Sequence, residues 1–171
     1  VVESDLNSII TKAFNNDPEG SWAYKPTDPR GQFAYSSQEI PFDLFAASSE
    51  GNFYFWETKL IKHKYSAFSF NSIRDHQYRN LTKLENIFKK FHNVFCIIAL
   101  GIWIPRKSFD LMFFNIDLIN ELRNGSKSIK QKDLLAIREK GLYLSIKKQS
   151  FDIRAIPSKI IWNREDIYEN I

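Results

Sequence analysis

The chain is poor in the features that assign a protein to a class at a glance. Its 171 residues contain one cysteine, so no intramolecular disulfide can form. That residue, Cys96, sits inside the apolar run Val94-Phe95-Cys96-Ile97-Ile98-Ala99-Leu100, a setting for a buried structural thiol rather than a nucleophile. The same run is too short to span a bilayer. The N-terminus lacks the basic, apolar and small-residue succession of a secretory signal, so the expectation is a cytoplasmic protein without membrane contact. There is no internal repeat, and neither sign of charge dominates. Lys and Arg number 24 against 20 Asp and Glu, leaving +4 and a pI near 9.1. That modest excess leans towards an anionic partner such as nucleic acid.

What is present suffices for one core. With 43% hydrophobic and 15% aromatic residues, the whole of 1–171 reads as a single domain. Leu6, Ile9, Ile10, Ala13 and Phe14 recur at helical spacing, and Asn15-Asn16-Asp17-Pro18-Glu19-Gly20 ends that helix. Ser21 to Glu39 is rich in turn formers, with Trp22-Ala23-Tyr24 as a short extended piece. A hairpin follows, then a linker from Ile61 to Phe70. A long helix is expected from about Ser72 to Phe91, with Ser72 and Asp75 as its capping box. Val94 to Trp103 reads as a strand buried on both faces, and Leu111 to Ile116 as another. Two short helices, Asp117 to Asn124 and Gln131 to Lys140, are closed by Gly125 and Gly141. A strand near Leu142 to Ile146 leads into an irregular tail. The sum is a mixed sheet with helices on both faces, an α/β or α+β architecture.

The chemistry lies in the hairpin. Asp43, in Pro41-Phe42-Asp43, precedes a Ser-Ser-Glu-Gly-Asn turn, and the returning strand reads Phe53-Tyr54-Phe55-Trp56-Glu57-Thr58-Lys59. Alternation along a strand places Glu57 and Lys59 on the face of Phe53 and Phe55, opposite Tyr54, Trp56 and Thr58. Two charges at the end of an apolar face are costly unless paired, hydrogen-bonded or metal-bound. Magnesium prefers hard oxygen ligands and keeps several waters, so Asp43 and Glu57 with the backbone carbonyl of Thr58 would suffice to hold it. Lys59 would then orient the attacking water or neutralise phosphate charge during phosphodiester hydrolysis. The competing reading is a plain Glu57–Lys59 ion pair at an exposed strand end.

Further residues bear on that choice. The apolar stripe of the long helix runs Ile73, Gln77, Leu81, Leu84, Phe88 and Phe91, so the amide of Gln77 faces inward and needs partners, with the hairpin the nearest source. Against this stands a Gln77 that merely bonds a loop carbonyl. Glu3 shares the inward face of the first helix and is a candidate third carboxylate, or simply a favourable charge at a helix N-terminus.

The strand Phe55-Trp56-Glu57-Thr58-Lys59 resembles the signature of the PD-(D/E)xK nuclease superfamily. Ser66-Ala67-Phe68-Ser69-Phe70, Asp75-His76-Gln77 opening a helix, and the strand Phe95 to Leu100 are together similar to the RecU family of Holliday-junction resolvases. The likeness continues through Ser126-Lys127-Ser128-Ile129, Lys140-Gly141-Leu142-Tyr143 and Phe151-Asp152-Ile153. The resemblance implies a restriction-endonuclease-like mixed central sheet flanked by helices. It also implies a homodimeric endonuclease, dependent on magnesium with manganese as a substitute, that makes paired nicks in four-way DNA junctions. Asp43 and Glu57 would be metal ligands, Lys59 the catalytic lysine, Gln77 a supporting polar residue and Glu3 the first-helix acid. Members of that family carry a longer projecting insertion before the first catalytic acid, whereas Lys25 to Ile40 leaves little room for one. A restriction or repair nuclease cutting duplex or flap DNA, and a DNA-binding module without catalysis, are the alternatives. Candidate phosphate contacts are Lys62, His63 and Lys64 after the acidic strand, Arg74 and Arg79 on the long helix, and Lys127, Lys130 and Lys132 later.

Overall fold

The computed structural model describes residues 1–26 and 42–168. Pro41 and most of the turn-rich stretch ahead of it lie outside the described residues. The first amphipathic segment forms α1 (Glu3–Asn15), whose Leu6, Ile10 and Phe14 are fully buried. Next come β1 (Trp22–Tyr24), β2 (Leu44–Ala47) and β3 (Phe53–Lys62), each antiparallel to its neighbour. β4 (Phe68–Ser69) and a single 3₁₀ turn precede α2 (Asp75–Phe88). β5 (Val94–Ile104) and β6 (Ser108–Asn115) form a tight hairpin, with Arg106 in the left-handed region at φ 62°. α3 (Ile116–Gly125), β7 (Ser128–Ile129), α4 (Gln131–Glu139), β8 (Leu144–Ser145), β9 (Ile160–Ile161) and α5 (Arg164–Ile167) complete the order.

Among the described residues the main sheet runs β1-β2-β3-β5-β6-β8, with β9 joining β6 in parallel. β3 and β5 are parallel and register from Phe53 against Val94 to Lys62 against Trp103. α2 lies in the crossover that parallel pairing requires. The sheet is mixed and helices cover both faces, as the sequence pattern predicts. On one face α1 packs Leu6, Ile10 and Phe14 onto Tyr54, Trp56 and Phe113, with Phe14 edge-on to Tyr54 and Trp56 at 5.8 and 5.9 Å. On the other, α2, α3 and α4 bury Leu81, Ile119 and Ile137 against Ile98, Leu100 and Phe114. Cys96 is buried, consistent with a structural thiol. No helix among the described residues is long and apolar enough to cross a membrane.

Three local expectations need correction. The long helix begins at Asp75, not Ser72, because residues 70–72 form a 3₁₀ turn whose Ser69 hydroxyl accepts from the Asn71 N–H. Ser72 donates to the Ser69 carbonyl at 2.7 Å, so it is not a cap. The cap is Arg74, whose N–H donates to Gln77 Oε1 at 2.8 Å. The helix also stops at Phe88, which leaves Phe91 beyond it and 57% exposed. Ile61 to Phe70 is more than a linker, since β3 runs through Lys62 and β4 pairs with β7 in a second, two-stranded sheet. Finally, the tail is structured: Ile153, Ile156, Ile160 and Ile161 are all buried and finish both cores.

A polar tie fixes the segment that leaves β3. The Tyr65 hydroxyl donates to Asp110 Oδ2 at 2.6 Å, and Arg138 Nε donates to the same oxygen at 3.1 Å. Asp110 is 1% exposed, so loss of a donor leaves buried charge short of partners. Tyr65→Phe is therefore expected to cost about 1–3 kcal/mol of stability, read from the urea unfolding midpoint. An unchanged midpoint would show that Arg138 alone satisfies Asp110.

Candidate active site

The antiparallel register of Leu44 with Trp56 extends by one rung, because the Asp43 N–H donates to the Trp56 carbonyl at 2.8 Å. That rung sets Asp43 opposite Glu57. Alternation along β3 then turns Glu57 and Lys59 towards α2 and turns Tyr54 and Trp56 towards α1, as the pattern predicts. Glu57 is 1% and Lys59 6% exposed, so the ion pair at an exposed strand end is overturned: the pair is buried. Lys59 Nζ donates to Glu57 Oε1 at 2.8 Å.

Gln77 finds the partner its position demands. It is the third residue of α2, half-buried, and its Nε2 donates to Glu57 Oε1 while its Oε1 holds the Arg74 N–H. One side chain thus ties the start of α2 to the carboxylate. Asp43 is fixed differently, with Oδ2 accepting from the Thr58 N–H at 3.0 Å and lying 2.8 Å from Thr58 Oγ1. Thr58 Oγ1 is also 2.6 Å from the side-chain amide of Asn7 on α1. A hydroxyl has one proton, so the network closes when Asn7 turns its NH₂ to Thr58 and Thr58 donates to Asp43. Glu3 reaches Lys59 at 3.8 Å and remains half-exposed. It approaches the lysine rather than the two carboxylates, and among the described residues no three His, Cys, Asp or Glu side chains converge on one ion position.

The electrostatics leave the pair short of positive charge. Burial first, then the neighbouring Asp43 carboxylate, push Glu57 up from its ordinary 4.5 to about 8, although Lys59 pulls the other way. Two carboxylates therefore face one ammonium in a largely dry setting. A divalent cation fits that donor set: it would take hard oxygens from Asp43 and Glu57, and supply the missing charge.

The basic candidates divide by place. Lys62, His63 and Lys64 are exposed at the C-terminal end of β3, beyond Lys59, with His63 at φ 74° and its ring 6.0 Å from that of Trp103. Arg74 caps α2 beside Gln77. Lys127 adjoins β7, its carbonyl accepting from the Phe70 N–H just before α2. Arg79 lines an open groove between α2 and α3 with Lys83 and Arg123, and Lys130 and Lys132 are exposed at the start of α4.

Asn7 and the side chain of Thr58 went unread in the sequence. The signal for Asn7 was present, since it lies one turn after Glu3 on a face that continues to Ile10 and Phe14. A polar residue in that buried stripe required a partner.

No family model matches the chain, and no curated protein matches it. Among solved structures, Hjc, a Holliday junction resolvase from the archaeal hyperthermophile Archaeoglobus fulgidus, is similar to it with 15% sequence identity and a TM-score of 0.38. The match covers 66% of this chain and 75% of that one.

Proposed function

We propose that residues 1–171 form one nuclease domain, a metal-dependent DNA endonuclease that resolves four-way junctions by paired nicks. The observation that carries the reading is Glu57, buried beside Asp43, braced by Lys59 and Gln77, and charge-deficient. Burial of this kind works against folding and is explained when a cation and a phosphate complete the site. The RecU-like order of segments in the sequence supports the same reading.

Asp43 and Glu57 are the metal ligands in this proposal, with the Thr58 carbonyl available as a third. Magnesium, or manganese in its place, would supply a polarised phosphoryl oxygen and a water of lowered pKa. Thr58 and Asn7 hold Asp43 in position, and Gln77 holds Glu57. Lys59, fixed at 2.8 Å from Glu57, places a cation where negative charge accumulates as water adds to phosphorus and the P–O bond to the leaving alkoxide breaks. Lys62, His63, Lys64, Arg74 and Lys127 are suited to phosphates around the site, and Arg79 to phosphates further along α2. Two symmetric cuts call for two sites, hence a homodimer.

The test is incubation of a labelled four-way junction, matched duplex and single strand, with and without magnesium. Paired nicks in the junction that require the metal are expected. Equal cutting of duplex would reassign the chain to restriction or repair chemistry, and binding without cutting would leave a DNA-binding module.

A further inference from the structure

The face of the sheet that carries Asp43, Glu57 and Lys59 continues away from them as bare aromatic surface. Register places Trp22 beside Ala47 and Tyr24 beside Phe45, while Phe45 and Ala47 oppose Phe55 and Phe53. All of these side chains share the face of Glu57. α2 covers Phe55, whose ring stacks on Phe88 at 5.7 Å, but coverage falls away towards β1. Trp22 is 51% exposed, Tyr24 46%, Phe53 39% and, beyond the end of α2, Phe91 57%. The rings are in mutual contact: Trp22 and Tyr24 lie parallel within 6° at 5.8 Å, Trp22 meets Phe45 at 6.2 Å, and Phe45 stacks on Phe53 at 6.3 Å. Contiguous exposed aromatic rings on an open sheet face mark a binding surface.

We propose that this face is a stacking platform for unpaired bases of a single DNA strand, delivering that strand to the Asp43–Glu57 pair. The proposal rests on the nuclease reading, and names the feature of the substrate that the site receives. Charge identifies the occupant. Lys89 and Lys90 lie in the turn between Phe88 and Phe91, and Lys25 follows Tyr24, all exposed, with Glu50 an opposing charge in the β2–β3 turn. Flat rings beside a cationic rim suit a strand that alternates bases with phosphates. A second copy docking through the same face would set lysines against lysines. The geometry also fits, since the exposed Phe53 is four residues from Glu57 on one strand face, about 13 Å along β3, so a base stacked on Phe53 brings its strand within a few nucleotides of the carboxylates.

The experiment measures binding of labelled oligothymidylate and of a matched duplex by fluorescence anisotropy, with EDTA present, for the wild type and for Trp22→Ala with Tyr24→Ala. The ratio of single-strand to duplex affinity is expected to fall about ten-fold or more. Trp22→Phe, which keeps a ring, is expected to recover most of it, a rescue that a merely damaged fold would not give. An unchanged ratio overturns the proposal. So does a monomer–dimer equilibrium in sedimentation that the double variant abolishes while the ratio stays the same, because the face then belongs to a second copy. Magnesium-dependent cleavage assayed in parallel separates the two readings. Cleavage with an unchanged ratio sinks only the platform, whereas a falling ratio without any cleavage sinks the nuclease and leaves a single-strand-binding face.

Discussion

Glu57→Gln is expected to make the metal-free protein more stable and to abolish its cutting. The stability half follows from the sign of the shift. Unfolded, Glu57 loses its proton at about its ordinary 4.5; folded, it keeps it to about 8. The raised value means that the contribution to stability is complete below 4.5 and is lost as pH rises towards 8, because folding then requires either a retained proton or a buried charge. With each pKa unit equal to about 1.4 kcal/mol, the loss between those limits is a few kcal/mol, at most about 5. Glutamine has no proton to lose, and its amide can still meet Gln77. Urea unfolding at pH 5 and pH 9 should therefore show a steep decline for the wild type in EDTA and a shallower one for Glu57→Gln, in which Glu85, also pushed up by burial, still contributes. Magnesium at pH 9 should restore the wild type and leave the variant unmoved. The activity half follows from the proposed donor set, in which Glu57 is an anionic ligand: a neutral replacement is expected to reduce cleavage on the order of a thousand-fold while binding through the proposed basic contacts persists. A variant that cuts like the wild type, or a wild type equally stable at both pH values, would remove Glu57 from the proposed role.

The legible parts of this site were those that obey the period of a single strand or helix. Glu57 and Lys59 share a face by strand alternation and Gln77 turns inward on α2 by helical spacing, whereas the place of Asp43 opposite Glu57 depends on the register of the hairpin. What escaped depends on distant partners. β4 and β7 are two residues each, and neither carries a signal until Phe68 meets Ile129 across the fold. The start of α2 was misplaced for a related reason. Ser72 has the chemistry of a cap, but Phe70 and Ile73 are buried on either side of it, and packing them requires the 3₁₀ turn that moves the helix to Asp75. β9 and the buried isoleucines of the tail were hidden in a polar, turn-rich stretch where apolar residues occur without period. Burial of the Glu57–Lys59 pair could be argued only as one of two readings, because the depth of a strand end is set by what covers it.

Lys59→Met is expected to separate metal binding from catalysis. Lys59 is 6% exposed with its ammonium 2.8 Å from Glu57, and methionine fills a similar volume without charge. Removing a positive charge this close to the carboxylates relieves repulsion of an incoming dication, and at separations near 4 Å such a term corresponds to at least about a ten-fold gain in affinity even with strong screening. The loss of Lys59 also withdraws the influence that lowers the pKa of Glu57, so protons compete harder with the metal, and the gain is expected only where Glu57 of the variant has ionised, at a pH above the wild type's value of about 8. Manganese titration by calorimetry at pH 9 reads it directly. Cleavage should nevertheless fall on the order of a hundred-fold or more, because the ammonium held beside Glu57 is then withdrawn from the charge that grows on the phosphoryl group. Tighter metal binding with lost turnover is a signature that a purely structural lysine would not give, since a brace removed from Glu57 loosens the ligand and weakens the metal. Weaker manganese binding by Lys59→Met, or cleavage at the wild-type rate, would therefore reduce Lys59 to a support for the buried carboxylate.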